Sequence, residues 1–144
     1  MKHIFFLFLF GVTTAACAST PFIEDRAVED HEIKGMLMDW LAIDTTGWEL
    51  FKPRFPQTED FQERVCKCAA GQMNLYKKLF PDRTIASMQK DLAASKGAVE
   101  KTWAKYQRGS GIGSIAASII CMRVAAVRDA LEFLIEEAQR AEKK

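Results

Sequence analysis

From Thr58 to Glu142 apolar residues return every three or four positions, and alternating strand-like patterns are almost absent. A chain patterned in this way buries its apolar surface by packing helix on helix. The spacing of Ile33, Leu37, Trp40 and Leu41 predicts a first helix from about Glu24 to Asp44. A second is predicted from Thr58, a residue suited to an N-cap and followed by Glu59 and Asp60, to Leu79, ahead of Phe80-Pro81-Asp82. A third is predicted from about Thr84 to Tyr106, with Ile85, Met88, Leu92, Val99, Trp103 and Tyr106 in register, so that Trp103 reads as a core anchor. The last, from about Ser114 to Glu142, has an apolar face wide enough to touch more than one neighbour. The expected fold is all-α, a compact antiparallel bundle of about four helices.

Two breaks separate these segments. Asp44-Thr45-Thr46-Gly47 reads as a turn, and Lys52-Pro53-Arg54-Phe55-Pro56 as extended chain, because each proline biases its predecessor away from helix. Trp48, Leu50, Phe51 and Phe55 in this connection are expected to pin it to the core; exposed, they would mark a partner site. The second break is Arg108-Gly109-Ser110-Gly111-Ile112-Gly113-Ser114. No strand precedes these glycines and no Gly-Lys-Ser/Thr follows, so a phosphate loop is not indicated. The segment reads as a reversal between helices, small enough in profile to enter a partner's cleft.

Met1-Lys2-His3, the apolar run Ile4 to Phe10 and the small residues Ala16-Cys17-Ala18 form the pattern of a secretory signal peptide. The apolar stretch falls short of the roughly 20 residues of a membrane span. Residues 1–18 are therefore read as a leader and 19–144 as one helical domain, periplasmic or secreted. Thr14-Ala15-Ala16-Cys17 also resembles a lipobox, which leaves open a lipid anchor at Cys17. Beyond the leader, 19 Lys and Arg balance 19 Asp and Glu, since Lys2 is the one charge removed from 20 and 19. Such a chain has no global field to steer nucleic acid.

In an exported chain Cys66, Cys68 and Cys121 read first as disulfide material. Residues two apart on a helix point to nearly opposite sides, so only one of Cys66 and Cys68 can face Cys121. The apolar face of Phe61, Val65 and Leu75 favours Cys68–Cys121, with Cys66–Cys121 the alternative, and the cysteine left over stays free or joins two copies. Metal binding through Cys-x-Cys lacks ligands, since His31 is the sole histidine after residue 18. The same shortage leaves a catalytic thiol or a Ser-His-Asp set without a positioned base, and no cofactor motif is found. The expectation is a binding protein, not an enzyme.

Gln72-Met73-Asn74-Leu75-Tyr76-Lys77-Lys78-Leu79 resembles the Leu-Asn-x-x-Tyr-x-x-Leu helix of the LprI-like lysozyme-inhibitor family, small exported helical proteins of bacteria. Further elements follow in order: Trp103 with Tyr106, Gly113-Ser114, Cys121, and Arg128 with Leu131, so that the resemblance spans about Phe61 to Leu134. Gln107 stands where the family has Arg, and its following Asp-x-x-Cys is missing. The resemblance implies a protein that inhibits a lysozyme. A related expectation is immunity against a delivered cell-wall hydrolase, and the alternative is a non-catalytic structural or assembly factor of the envelope. The partner surface is expected at Arg108, Gly109, Ser110, Gly111, Gly113 and Ser114.

Overall fold

The computed structural model describes residues 22–33, 44–56, 59–107 and 114–144, and among them there is no strand. Three long helices dominate: α1 (Glu59–Leu79), α2 (Ile85–Gln107) and α3 (Ser114–Glu142). A 3-10 helix, Trp48–Arg54, precedes them. Their bounds lie within a residue or two of those predicted. The leader, Cys17 and residues 34–43 of the expected first helix lie outside the described residues.

The broad apolar face of α3 does what its width implies: α3 packs along both α1 and α2. Val124, Val127, Leu131 and Ala130 on it are wholly buried or nearly so. Between themselves α1 and α2 make no close backbone contact. The space is filled by residues 22–33, in which Phe22, Ile23 and Val28 are buried.

This N-terminal strap corrects the expected start of the first helix. Residues 22–29 are bent or extended, and helix begins only at Asp30. Phe22 stacks edge-on against Tyr76 of α1 and Phe80 just after it, with ring centroids 4.7 and 5.7 Å away, and its backbone N–H donates to Asp91 of α2. Farther along, Lys101 Nζ donates to Asp25 Oδ1 at 2.6 Å, the backbone N–H of Val28 donates to Thr102 Oγ1 at 3.1 Å, and Lys105 pairs with Glu29 at 3.2 Å. The strap thus runs parallel to α2 from Asp91 to Tyr106, a rise of about 22 Å on the helix that an extended octapeptide matches. A helix could not present Phe22, Ile23 and Val28 to one groove. Gly97 is where the strap comes closest, since a Cβ there would fall 1.9 Å from Asp25 Oδ1.

Arg26 locks the strap's end. Its guanidinium donates to both carboxylate oxygens of the wholly buried Glu32, at 2.5 and 2.9 Å, and to Glu24 at 2.7 Å. Glu32 also accepts the Glu29 backbone N–H at 2.7 Å, the N3-to-N-cap half of a capping box.

The connection before α1 departs from expectation as well. Instead of extended chain around Pro53 there is the 3-10 helix, opened by Gly47 in the left-handed region (φ 85°). Tertiary anchors outweigh the proline bias. Phe51 is buried with its ring 4.8 Å from that of Phe133, and Gln62 Nε2 donates to the carbonyls of Lys52 and Phe55 at 3.1 and 2.7 Å. Asn74 Nδ2 ties the preceding turn to α1 through the carbonyls of Asp44 and Thr46. Of the four apolar residues expected to pin this segment, Phe51 is buried and Trp48 and Phe55 are partly so, whereas Leu50 is exposed.

The expected Cys68–Cys121 bridge is not formed, and neither is its alternative: Cys66, Cys68 and Cys121 are all free and buried. Cys66 and Cys68 are not divided between a buried and an exposed face, because α1 is covered on nearly every side from Cys66 to Met73. The 3-10 helix lies on one flank and α3 on another, so both cysteines point inward. Cys68 feels the charges of Arg123 and Asp129, on either side of position 126 of α3. Cys121 lies about five residues, or 7–8 Å of helix, away from that level.

Candidate functional site

Three large apolar side chains remain exposed among the described residues: Leu50, Phe61 and Trp103. Single exposed apolar residues are ordinary, so their placement decides their meaning. Phe61 lies eighteen residues before Leu79, the end of α1, and Trp103 lies eighteen residues after Ile85, the start of α2. The turn Phe80–Thr84 joins these two helices, so both rings stand about 27 Å from it, at the same level of the bundle. That is also the end at which α2 stops and α3 starts, bracketing the reversal 108–113.

Trp103 overturns the sequence reading. It is 49% exposed, although Val99 and Tyr106 of its register are partly or fully buried. The buried line of α2 is Met88, Asp91, Ser95, Ala98, Thr102 and Tyr106, which contains three polar residues. Apolar periodicity alone passed over that line. Strap and α1 supply the polar partners: Thr102 for the Val28 N–H, Asp91 for the Tyr76 hydroxyl at 2.8 Å. Trp103 sits one position around the helix from Thr102 and points outward. Phe61, assigned to the apolar face of α1, is likewise 49% exposed.

Of the predicted partner residues, Arg108, Gly109, Ser110, Gly111 and Gly113 lie outside the described residues, and Ser114 is the first residue of α3. The structure therefore brings Phe61 and Trp103 to the end where these residues connect two helices. A Trp exposed in the last turns of a helix was not separable from a buried one by spacing. The signal that could have found it was the polar line Asp91-Ser95-Thr102 with Tyr106.

Several buried groups are shifted by their surroundings. Burial pushes the Cys68 thiol up to about 12 and raises those of Cys66 and Cys121, which disfavours the thiolate needed for nucleophilic attack. Tyr76 and Tyr106 are raised by burial and by the carboxylates of Asp91 and Asp30 beside them. Among the described residues no group of three or more His, Cys, Asp or Glu is gathered to hold a metal ion. None of the described helices is long and apolar enough to cross a membrane. A groove of about 590 Å³ opens at the opposite end, where Pro81, Arg83, Ile85 and Met88 face Leu134 and Ala138 of α3.

No family model, curated protein or solved structure matches the chain.

Proposed function

We propose that this chain is an exported, non-catalytic protein that binds and blocks a cell-wall hydrolase through the bundle end bearing Phe61, Trp103 and the reversal Arg108 to Ser114. The observation that carries the reading is the half-exposed Trp103, four residues before Gln107 closes α2 and next to that reversal. Trp is enriched among residues that dominate binding energy at interfaces, and a second aromatic, Phe61, stands at the same level. The glycines let backbone approach a cleft wall closely. Arg108 supplies a cation for the paired carboxylates through which glycosidases act. The identity of the partner rests on the leader pattern and on the resemblance to lysozyme inhibitors.

The test is inhibition of a panel of exported lysozymes, muramidases and amidases by the purified protein. Stoichiometric inhibition of at least one, weakened at least tenfold by Arg108→Glu in a variant that melts like the wild type, is the expected result. Failure to inhibit any of them transfers the protein to the alternative reading, an assembly factor of the envelope.

A further inference from the structure

Beside the α1–α2 turn, the groove of about 590 Å³ has two walls of different charge. One wall is the turn with the start of α2, including Pro81, Arg83 and Ile85; the other is the end of α3, including Glu137, Ala138 and Glu142. Met88 and Leu134 are buried at its floor, whereas Pro81 and Ala141 are exposed and Ile85 and Ala138 half-buried. Apolar surface is thus left uncovered between a cationic and an anionic wall.

The helix ends add to the side chains. The positive end of the α2 dipole lies in the Arg83 wall, and α2 has no acidic residue in its first turn to offset it. The negative end of the α3 dipole lies in the other wall, where Glu142 is the last helical residue in spite of it. Within one copy these charges do not meet. Arg83 donates to the Phe80 carbonyl at 3.3 Å, and among the described residues it forms no ion pair with Glu137 or Glu142. The cations nearest on α3 do not line the groove: Arg140 donates to the Glu136 carbonyl at 3.3 Å, and Lys143 and Lys144 follow the end of the helix.

A rotation of one copy by 180° brings each wall onto its opposite. A surface with one positive and one negative wall is therefore complementary to itself, as a closed dimer requires. Ala138 and Ala141 lie three apart on α3 and are small, so two α3 ends can cross closely. We infer that two copies of the chain pair through this groove about a two-fold axis, Arg83 of each facing Glu137 and Glu142 of the other across the apolar floor. The groove supplies fewer residues than the roughly 20–30 a side of a standard interface, so the dimer is a weak one. It leaves Phe61 and Trp103, at the other end of the bundle, exposed for what they bind.

The test is sedimentation equilibrium of the purified protein from about 1 µM to 1 mM, with reductant present so that no intermolecular disulfide contributes. A monomer–dimer equilibrium is expected. Arg83→Glu, and a double variant carrying Glu137→Arg and Glu142→Arg, change side chains that are not buried and should melt like the wild type. Each should weaken dimerisation by about tenfold or more, since like charges then face each other. Mixed in equal amounts, the two variants regain opposite charges at both contacts and should pair with each other to within about threefold of the wild type. Lys77→Glu, a charge reversal on α1 outside the groove, should change dimerisation by less than about twofold. A chain that stays monomeric at about 1 mM overturns the inference. So does a dimer that neither variant weakens, or one that the mixture does not restore.

Discussion

Tyr76 and Asp91 meet between α1 and α2, hydroxyl to carboxylate at 2.8 Å, with the backbone N–H of Phe22 donating to the same carboxyl. Both groups are buried. Removing the hydroxyl leaves Asp91 short of one donor where water cannot replace it, so Tyr76→Phe should cost about 1–3 kcal/mol. Denaturant titration measures this; a loss below about 0.5 kcal/mol would mean that Asp91 finds another donor. Asp129 shows the opposite sign. Burial raises its carboxyl above the usual range in spite of the neighbouring Arg128. A carboxyl raised on folding binds its proton more tightly in the folded state, so the contribution of Asp129 to stability is fully present below the ordinary carboxylate range and is lost as pH rises through the raised value. Asp129→Asn should therefore raise the melting temperature at neutral pH, with the gain shrinking toward about pH 3. A gain that is constant with pH would assign the effect to packing and not to charge. The buried thiols give a third check at this scale. Thiol reagents should leave Cys66, Cys68 and Cys121 untouched in the folded protein, and a reductant should not lower its melting temperature.

At the scale of elements, the three long helices were legible because each is bounded by chemistry that acts locally. Thr84 and Ser87 cap α2 reciprocally at 2.9 and 3.1 Å, Phe80-Pro81-Asp82 stops α1, and glycines separate α2 from α3. What escaped the sequence depends on neighbours far along the chain. The strap is extended because a groove between α1 and α2 receives Phe22, Ile23 and Val28, and nothing within residues 22–33 announces that groove. The 3-10 helix persists around Pro53 because Gln62 and Phe133 hold it. Trp103 and Cys66 were misplaced for a related reason, Cys68 being buried as expected: a helix face read from spacing has one buried side, whereas α1 is covered almost all round and the buried line of α2 is partly polar. The strap contact can be weighed at Gly97. Gly97→Ala gains about 1 kcal/mol of helix propensity and displaces an exposed carboxylate whose ion pair with Lys101 is worth at most about that much. The two offset, and stability should change by less than about 0.5 kcal/mol. Gly97→Leu instead presses on the strap itself and should cost about 1–3 kcal/mol, as overpacking does. An alanine variant as damaged as the leucine one would show that Asp25 cannot swing aside.

The two ends of the bundle differ: the α1–α2 turn and the groove beside it lie at one, and two half-exposed aromatics stand at the other, where α2 stops and α3 starts. The central question is whether Trp103 is present for folding or for a partner. Trp103→Ala, followed in parallel by thermal melting and by inhibition of the hydrolase that the wild type blocks, decides between them. A half-exposed ring should cost at most about 1 kcal/mol on truncation, against about 3–5 kcal/mol for a buried one. A melting temperature within a few degrees of wild type together with at least a tenfold loss of inhibition is expected. A variant that is largely unfolded, or one that is folded and inhibits undiminished, would overturn the binding role of Trp103.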